Sequence, residues 1–188
     1  MSNPDSYVIN AASGRIAGVR FLASPNCDPR PEGMRPELLV IHGISLPEGR
    51  FGGPYVEDLF LNRLDIAADA SFAALRGLRV SAHVLIRRDG EVIQFVPFTL
   101  RAWHAGASSF RGRERCNDFS IGIELEGVDA APYEDAQYES LNALIAALRA
   151  VYPAITPAAI VGHSDIAPGR KTDPGPAFDW DCIGVCRS

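Results

Sequence analysis

A clean alternation runs through Ser120-Ile-Gly-Ile-Glu-Leu-Glu126, where Ile121, Ile123 and Leu125 interleave with Gly122, Glu124 and Glu126. Period two predicts a strand with two different faces. Leu38-Leu-Val-Ile-His42 is apolar until its last residue, the pattern of a buried strand that ends at a histidine. Ile160-Val-Gly-His163 repeats that ending in shorter form. Residues 80–87 and 91–96 flank Arg88-Asp-Gly90, and Asp-Gly between apolar runs predicts a β-hairpin. Over 135–152, Tyr138, Leu141, Leu144, Ile145, Leu148, Val151 and Tyr152 recur at helical spacing, and Pro153 stops the run. Residues 55–64 read as a second helix. Clusters of Pro, Gly, Asn and Asp mark 1–36 as an irregular lead-in with one short strand; the glycines and prolines of 43–54 mark a loop, and 103–118, with charged side chains among glycines and serines, reads as another.

Strands and helices are interleaved, yet one connection is a hairpin. That combination predicts an α/β fold, a central mixed β-sheet flanked by helices. The length suits one domain over residues 1–188, with its core at about 36–180, because two independent cores would each be small.

Composition narrows the function classes. A net charge of -5 argues against nucleic acid, since neutralising phosphates requires a basic surface. Hydrophobic residues at 47% and charged residues at 22% describe an ordinary soluble balance, and no apolar run is long enough to span a membrane. Residues 1–7 show neither a basic leader nor an apolar export segment. Four cysteines, Cys27, Cys116, Cys182 and Cys186, are too sparse for a disulfide scaffold. A cytoplasmic location with reduced thiols follows as the expectation, with no obligate protein partner evident. Cys182 and Cys186 stand four apart, a spacing open to a metal or disulfide role as well as to two ordinary thiols. Cys116 lies near Asp118, but no base is placed beside it.

The four histidines can each be weighed. His42 and His163 end apolar runs just before loops, where ligands and catalytic groups commonly stand. Either they bind a metal or they are hydrogen-bonded histidines near the surface. Asp173, ten positions after His163, sits beside Pro174 as either a turn aspartate or a third ligand. Two imidazoles and one carboxylate suit a catalytic zinc with one open position, where bound water falls from a pKa of 15.7 to about 7. Glu124 faces away from Ile123 and Leu125, as a functional carboxylate or as the solvent face of an edge strand. Gly122 beside it leaves room for a ligand. Lys171, two residues before Asp173, is placed either to stabilise an oxyanion or as an exposed loop lysine. His83 reads as a satisfied core or supporting histidine. His104, next to Trp103, reads as lining for a sugar site.

Five stretches together carry a resemblance: Ile41-His-Gly-Ile-Ser-Leu-Pro47, Arg79 to Glu91, Arg101-Ala-Trp-His-Ala-Gly106, Gly112 to Gly127, and Gly162-His163 through Trp180. In that order the chain resembles the AmpD-type branch of the zinc N-acetylmuramoyl-L-alanine amidases, whose fold is shared with peptidoglycan-recognition proteins. The resemblance implies Zn2+ held by His42, His163 and Asp173, a catalytic base at Glu124, and Lys171 stabilising the tetrahedral intermediate. It implies an anhydro-muropeptide substrate, cut between 1,6-anhydro-N-acetylmuramic acid and L-alanine in cell-wall recycling. Arg79 and Arg115 match positions suited to the stem-peptide carboxylates, and Trp103 to packing on the sugar. Much of the branch has Asn after the first zinc histidine; Gly43 here removes any side-chain hydrogen bond from that place. Two other readings share the fold: an amidase acting on intact peptidoglycan, and a receptor that binds muropeptides without cutting them. Relatives of the second kind typically lose a zinc ligand, and this chain keeps all three.

Overall fold

In the computed structural model, which describes residues 6–185, six strands form the main sheet. They are β1 (Arg20–Phe21), β2 (Leu38–Ile44), β3 (Val84–Ile86), β4 (Val92–Gln94), β5 (Ser120–Glu126) and β6 (Ile160–Gly162). Their order is β6-β2-β5-β3-β4-β1. Only β3 and β4 pair antiparallel, as the Asp-Gly hairpin requires; the other neighbours run parallel. The fold is the mixed α/β sheet that the alternating patterns predict. Strand β5 lies inside the sheet between β2 and β3, so Glu124 is not on an edge strand.

Helix α1 (Tyr55–Phe60) is shorter than the apolar pattern suggests. It ends because Asn62 turns into the left-handed region at φ 59, where its side chain trades hydrogen bonds with Asn26. Helix α2 (Asp135–Val151) matches its periodicity. Its Gln137 side chain accepts from the Glu134 backbone N–H and donates to the carbonyls of Ile86 and Glu126, which fastens the helix start to β3 and β5. Leu141, Leu144 and Leu148 of α2 pack with Leu39, Ile41, Ile121 and Ile123 on one sheet face. Each such buried side chain contributes about 1.5–3 kcal/mol.

The opposite face carries Leu38 and Val40 against Ala105, Phe119 and Val161. His42 continues that series along β2, and a parallel register sets Glu124 directly beside it. Helix α3 (His163–Ile166) begins where β6 ends. The lead-in holds more structure than its composition suggests: short strands also form at Ile9–Asn10, Arg15–Ile16 and Cys27–Pro29. Likewise the 103–118 stretch contains a two-residue hairpin pair, Ser109–Phe110 with Arg113–Glu114. Among the described residues no helix is long and apolar enough to cross a membrane. Cys27, Cys116 and Cys182 are free thiols, and Cys186 lies outside the described residues.

Candidate active site

Three side chains from three parts of the chain meet at one end of the sheet. His42 Nδ1 lies 3.0 Å from His163 Nδ1 and 3.0 Å from Asp173 Oδ2, and His163 Nδ1 lies 3.1 Å from the same oxygen. His42 comes from β2 and His163 from the first turn of α3. Asp173 follows on a segment tied back by the Ser164 N–H, which donates to the Asp173 carbonyl at 3.1 Å. Both imidazoles are buried and Asp173 is partly so.

The donor set fits a metal ion. His163 Nε2 lies 3.1 Å from the Ala105 carbonyl and 3.5 Å from Arg170 Nη2; with its proton on Nε2, donated to that carbonyl, the imidazole presents a bare Nδ1 to the cluster. Bare nitrogen and carboxylate lone pairs at such distances repel unless a proton or cation lies between them. Ligands 2.0–2.2 Å from a tetrahedral zinc stand about 3.3 Å apart, close to the spacing found. Borderline imidazole donors with one carboxylate suit such an ion.

Burial pushes the His42 pKa down to about 4, against the opposing pull of Asp173, so the imidazole is neutral and able to ligate. Asp173 is raised by burial but drawn further down by its two histidine partners, and is held well below the usual carboxylate range.

Glu124 is partly buried beside His42, and its Oε2 is buried without a hydrogen-bond partner. Burial, and then the Asp173 charge, push its pKa well above the ordinary range; Lys171 pulls the other way. An unpaired buried carboxyl costs stability, and such costs cluster where a proton must be moved. Lys171 is exposed and lines a cleft of about 890 Å³ with Gly43, Leu46, Phe72, Val128 and Asp173.

The residues expected to contact substrate, Arg79, Arg115 and Trp103, do not line that cleft. Arg79 is exposed and lines a 110 Å³ hollow that shares Leu75 with the cleft. Arg115 lines a 510 Å³ hollow that shares Arg170 with it, and is paired with Asp118 at 3.2 Å. Trp103 is half-buried, and Arg101 together with Trp103 holds the Asp28 carboxyl below its ordinary pKa.

Two readings change. Gly122 makes room for a side chain of the protein rather than for a ligand: a β-carbon there would stand 2.5 Å from the His104 ring. His104 in turn points at His42 and not at a sugar site, with its Nδ1 2.9 Å from His42 Nε2. His83 is the satisfied core histidine expected, accepting from the Gly122 N–H at 3.1 Å and donating to the Leu100 carbonyl at 3.1 Å. Cys116 is fully buried, and burial raises its thiol pKa, as in a packed structural cysteine. Arg170 had no sequence signal of its own. It donates to the carbonyls of Ala105 and Ala107, both at 2.7 Å, and so braces the acceptor of His163.

A mixed sheet that brings two imidazoles and a carboxylate together at one end, with an unpaired carboxyl in register beside them and a cleft that Asp173 lines, defines a hydrolytic α/β enzyme. The sequence profile described as N-acetylmuramoyl-L-alanine amidase matches residues 32–176, and the chain belongs to that family. It is 60% identical over 168 residues to the 1,6-anhydro-N-acetylmuramyl-L-alanine amidase AmpD of Enterobacter cloacae, covering 89% of each chain. A crystal structure of a selenomethionine AmpD derivative superposes with a TM-score of 0.91 at 55% identity, covering 94% of this chain and 97% of the other. The Escherichia coli amidase AmiD, solved with anhydro-N-acetylmuramic acid-L-Ala-D-gamma-Glu-L-Lys, gives a TM-score of 0.58 at 35% identity, covering 82% of this chain and 59% of that one.

Proposed function

We propose that this chain hydrolyses the amide between 1,6-anhydro-N-acetylmuramic acid and L-alanine in muropeptides, with zinc held by His42, His163 and Asp173, in cytoplasmic cell-wall recycling. The observation that carries the reading is the unpaired Glu124 carboxyl beside the three converging donor atoms. The AmpD relatives, which carry that cleavage in their name, and the muropeptide bound to AmiD support this choice of substrate.

Zinc bound at this site would supply Lewis acidity toward a water molecule and the lactyl carbonyl. Glu124 then takes a proton from the attacking water as its oxygen bonds to the carbonyl carbon. Burial holds its pKa above that of an ordinary carboxylate, which makes it the stronger base. Lys171, on the cleft wall, stabilises the negative charge that develops on the carbonyl oxygen. The carbon–nitrogen bond breaks as Glu124 returns the proton to the alanine amine, releasing sugar acid and free peptide. Arg79 and Arg115 line two hollows that each share a residue with the cleft, suited to holding the stem-peptide carboxylates. Trp103 offers the sugar an aromatic surface.

The test compares anhydro-muropeptide, its non-anhydro counterpart and intact sacculi, with chelator and after zinc is restored. Zinc-dependent release of peptide from the anhydro fragment is expected. Cleavage of intact sacculi would replace this reading with a wall-lytic amidase, and binding without cleavage would replace it with a receptor.

A further inference from the structure

One dipeptide, His104-Ala105, touches both candidate ligand imidazoles on the side away from the cluster. The Ala105 carbonyl accepts from His163 Nε2 at 3.1 Å, and His104 Nδ1 meets His42 Nε2 at 2.9 Å. His104 Nε2 lies 3.0 Å from Ser120 Oγ, at the start of β5. Asn117 Oδ1 fixes the dipeptide by accepting both of its backbone N–H groups, at 3.2 and 2.8 Å. The ring of His104 occupies the space that the absent side chain of Gly122 leaves open. His83, the imidazole on its far side, has both nitrogens committed elsewhere, so it does not compete for His104.

The hydrogen-bond ladder Ser120–His104–His42 can run in only two directions. In one, Ser120 Oγ–H donates to His104, His104 Nδ1–H donates to His42 Nε2, and His42 carries its proton on Nδ1, toward Asp173. In the other, His42 Nε2–H donates to His104 Nδ1 and His104 Nε2–H donates to Ser120 Oγ. Only the second leaves His42 Nδ1 bare, and both imidazoles stay neutral in either case. The acceptor that a ligand histidine needs behind it, usually a carboxylate or carbonyl, is here another imidazole that can reverse.

We propose that His104, anchored by Ser120, is a positioning residue that sets His42 in the Nε2–H tautomer and so builds the zinc site. This rests on the zinc reading above. The ladder explains why a histidine follows Trp103 and why β5 has glycine at 122, features that substrate contact leaves unexplained.

The test measures zinc affinity by chelator competition in the full chain, alongside imidazole 15N spectra of the zinc-loaded protein. His104→Leu, which keeps bulk but loses the acceptor, should weaken zinc binding by about 10–100-fold. His104→Asn, which keeps an acceptor near the Nδ1 position, should recover part of the loss, and Ser120→Ala should weaken binding less than His104→Leu. In the wild type His104 should carry its proton on Nε2. Unchanged zinc affinity in both His104→Leu and Ser120→Ala, or an Nδ1–H tautomer at His104 with zinc bound, overturns the ladder. The wild-type tautomer needs no variant to fold. A wild type that cleaves with zinc while the variants bind it unchanged sinks only the ladder. Ladder-dependent zinc affinity without any amidase activity sinks only the proposed function.

Discussion

The Tyr133 hydroxyl occupies the space that a β-carbon at Gly43 would need, directly after the first candidate ligand. The same hydroxyl donates to the Pro174 carbonyl at 2.9 Å, directly after the third. Gly43 therefore does more than omit a side-chain hydrogen bond. Its bare Cα lets Tyr133 reach across β2 and pin the segment that carries Asp173. The ring has little freedom to retreat, being buried between Gly127 and the aromatic rings of Tyr138 and Phe178.

A double-mutant cycle tests this directly. Gly43→Ala forces the ring aside and should cost about 1–3 kcal/mol of stability. Tyr133→Phe leaves the Pro174 carbonyl unpaired and should cost about 1–2 kcal/mol. Without the hydroxyl, the nearest atoms to a new β-carbon are Pro174 Cα at 3.5 Å and Tyr133 Cζ at 3.6 Å, ordinary contacts. The double variant should thus lose less than the sum of the two, by about 1 kcal/mol or more. Urea melts of the zinc-free proteins read the coupling, and strict additivity would refute the steric link.

Removing the metal should lower thermal stability as well as activity. Zinc that binds only the folded chain stabilises it by about 4 kcal/mol when free zinc is 1,000 times the Kd. Asp173→Asn keeps the shape but weakens the ligand, so its Tm should respond far less to added zinc. An equal zinc-induced Tm shift in wild type and variant would remove Asp173 from the site.

The two arginines separate binding from chemistry. If Arg115 holds a carboxylate of the stem peptide, Arg115→Ala should raise KM with kcat little changed. Lysine should restore only part of the loss, because a forked guanidinium pairs in two places at once. Arg79→Ala should act in the same sense from its own hollow. A fall in kcat at constant KM would place either residue in the chemistry instead.

What could be read from the chain alone follows physical range. Strand β5 and helix α2 were legible because their faces repeat locally, at two residues and at 3.6. His42 and His163 stood out because each interrupts an apolar run. The grouping of His42, His163 and Asp173 came from an ordered resemblance across the chain, and so did the roles proposed for Glu124 and Lys171. Spacing alone left those residues open to plainer readings. The His104 contact was not legible, since it joins residues 62 apart through a glycine that shows no partner in sequence. Nor was the end of α1, decided by Asn26 at a distance of 36 residues. The same holds for the Arg20–Glu57–Arg87 ion-pair cluster, which ties the lead-in and α1 to the hairpin.

Glu124 gives a prediction about both rate and pH. Glu124→Gln should lower hydrolysis by at least about 100-fold while zinc still binds, because His42, His163 and Asp173 are untouched. In the zinc-free protein, burial raises the Glu124 pKa above its ordinary 4.5, so the folded state holds a proton that the unfolded state has released. Stability from this group is therefore present in full below pH 4.5 and falls as pH rises toward the folded pKa. His42 works in the opposite sense. Its folded pKa near 4 lies below the ordinary 6.5, so the unfolded chain binds the extra proton and stability is lost as pH falls from 6.5 toward 4. Subtracting the profile of Glu124→Gln from that of the wild type cancels the histidine contribution and leaves the carboxyl. The difference should grow steadily in favour of the glutamine variant as pH rises above 4.5. Denaturant melts of both zinc-free proteins from pH 5 to 8 measure it, and a flat difference would mean that Glu124 is solvated and unsuited to act as the base.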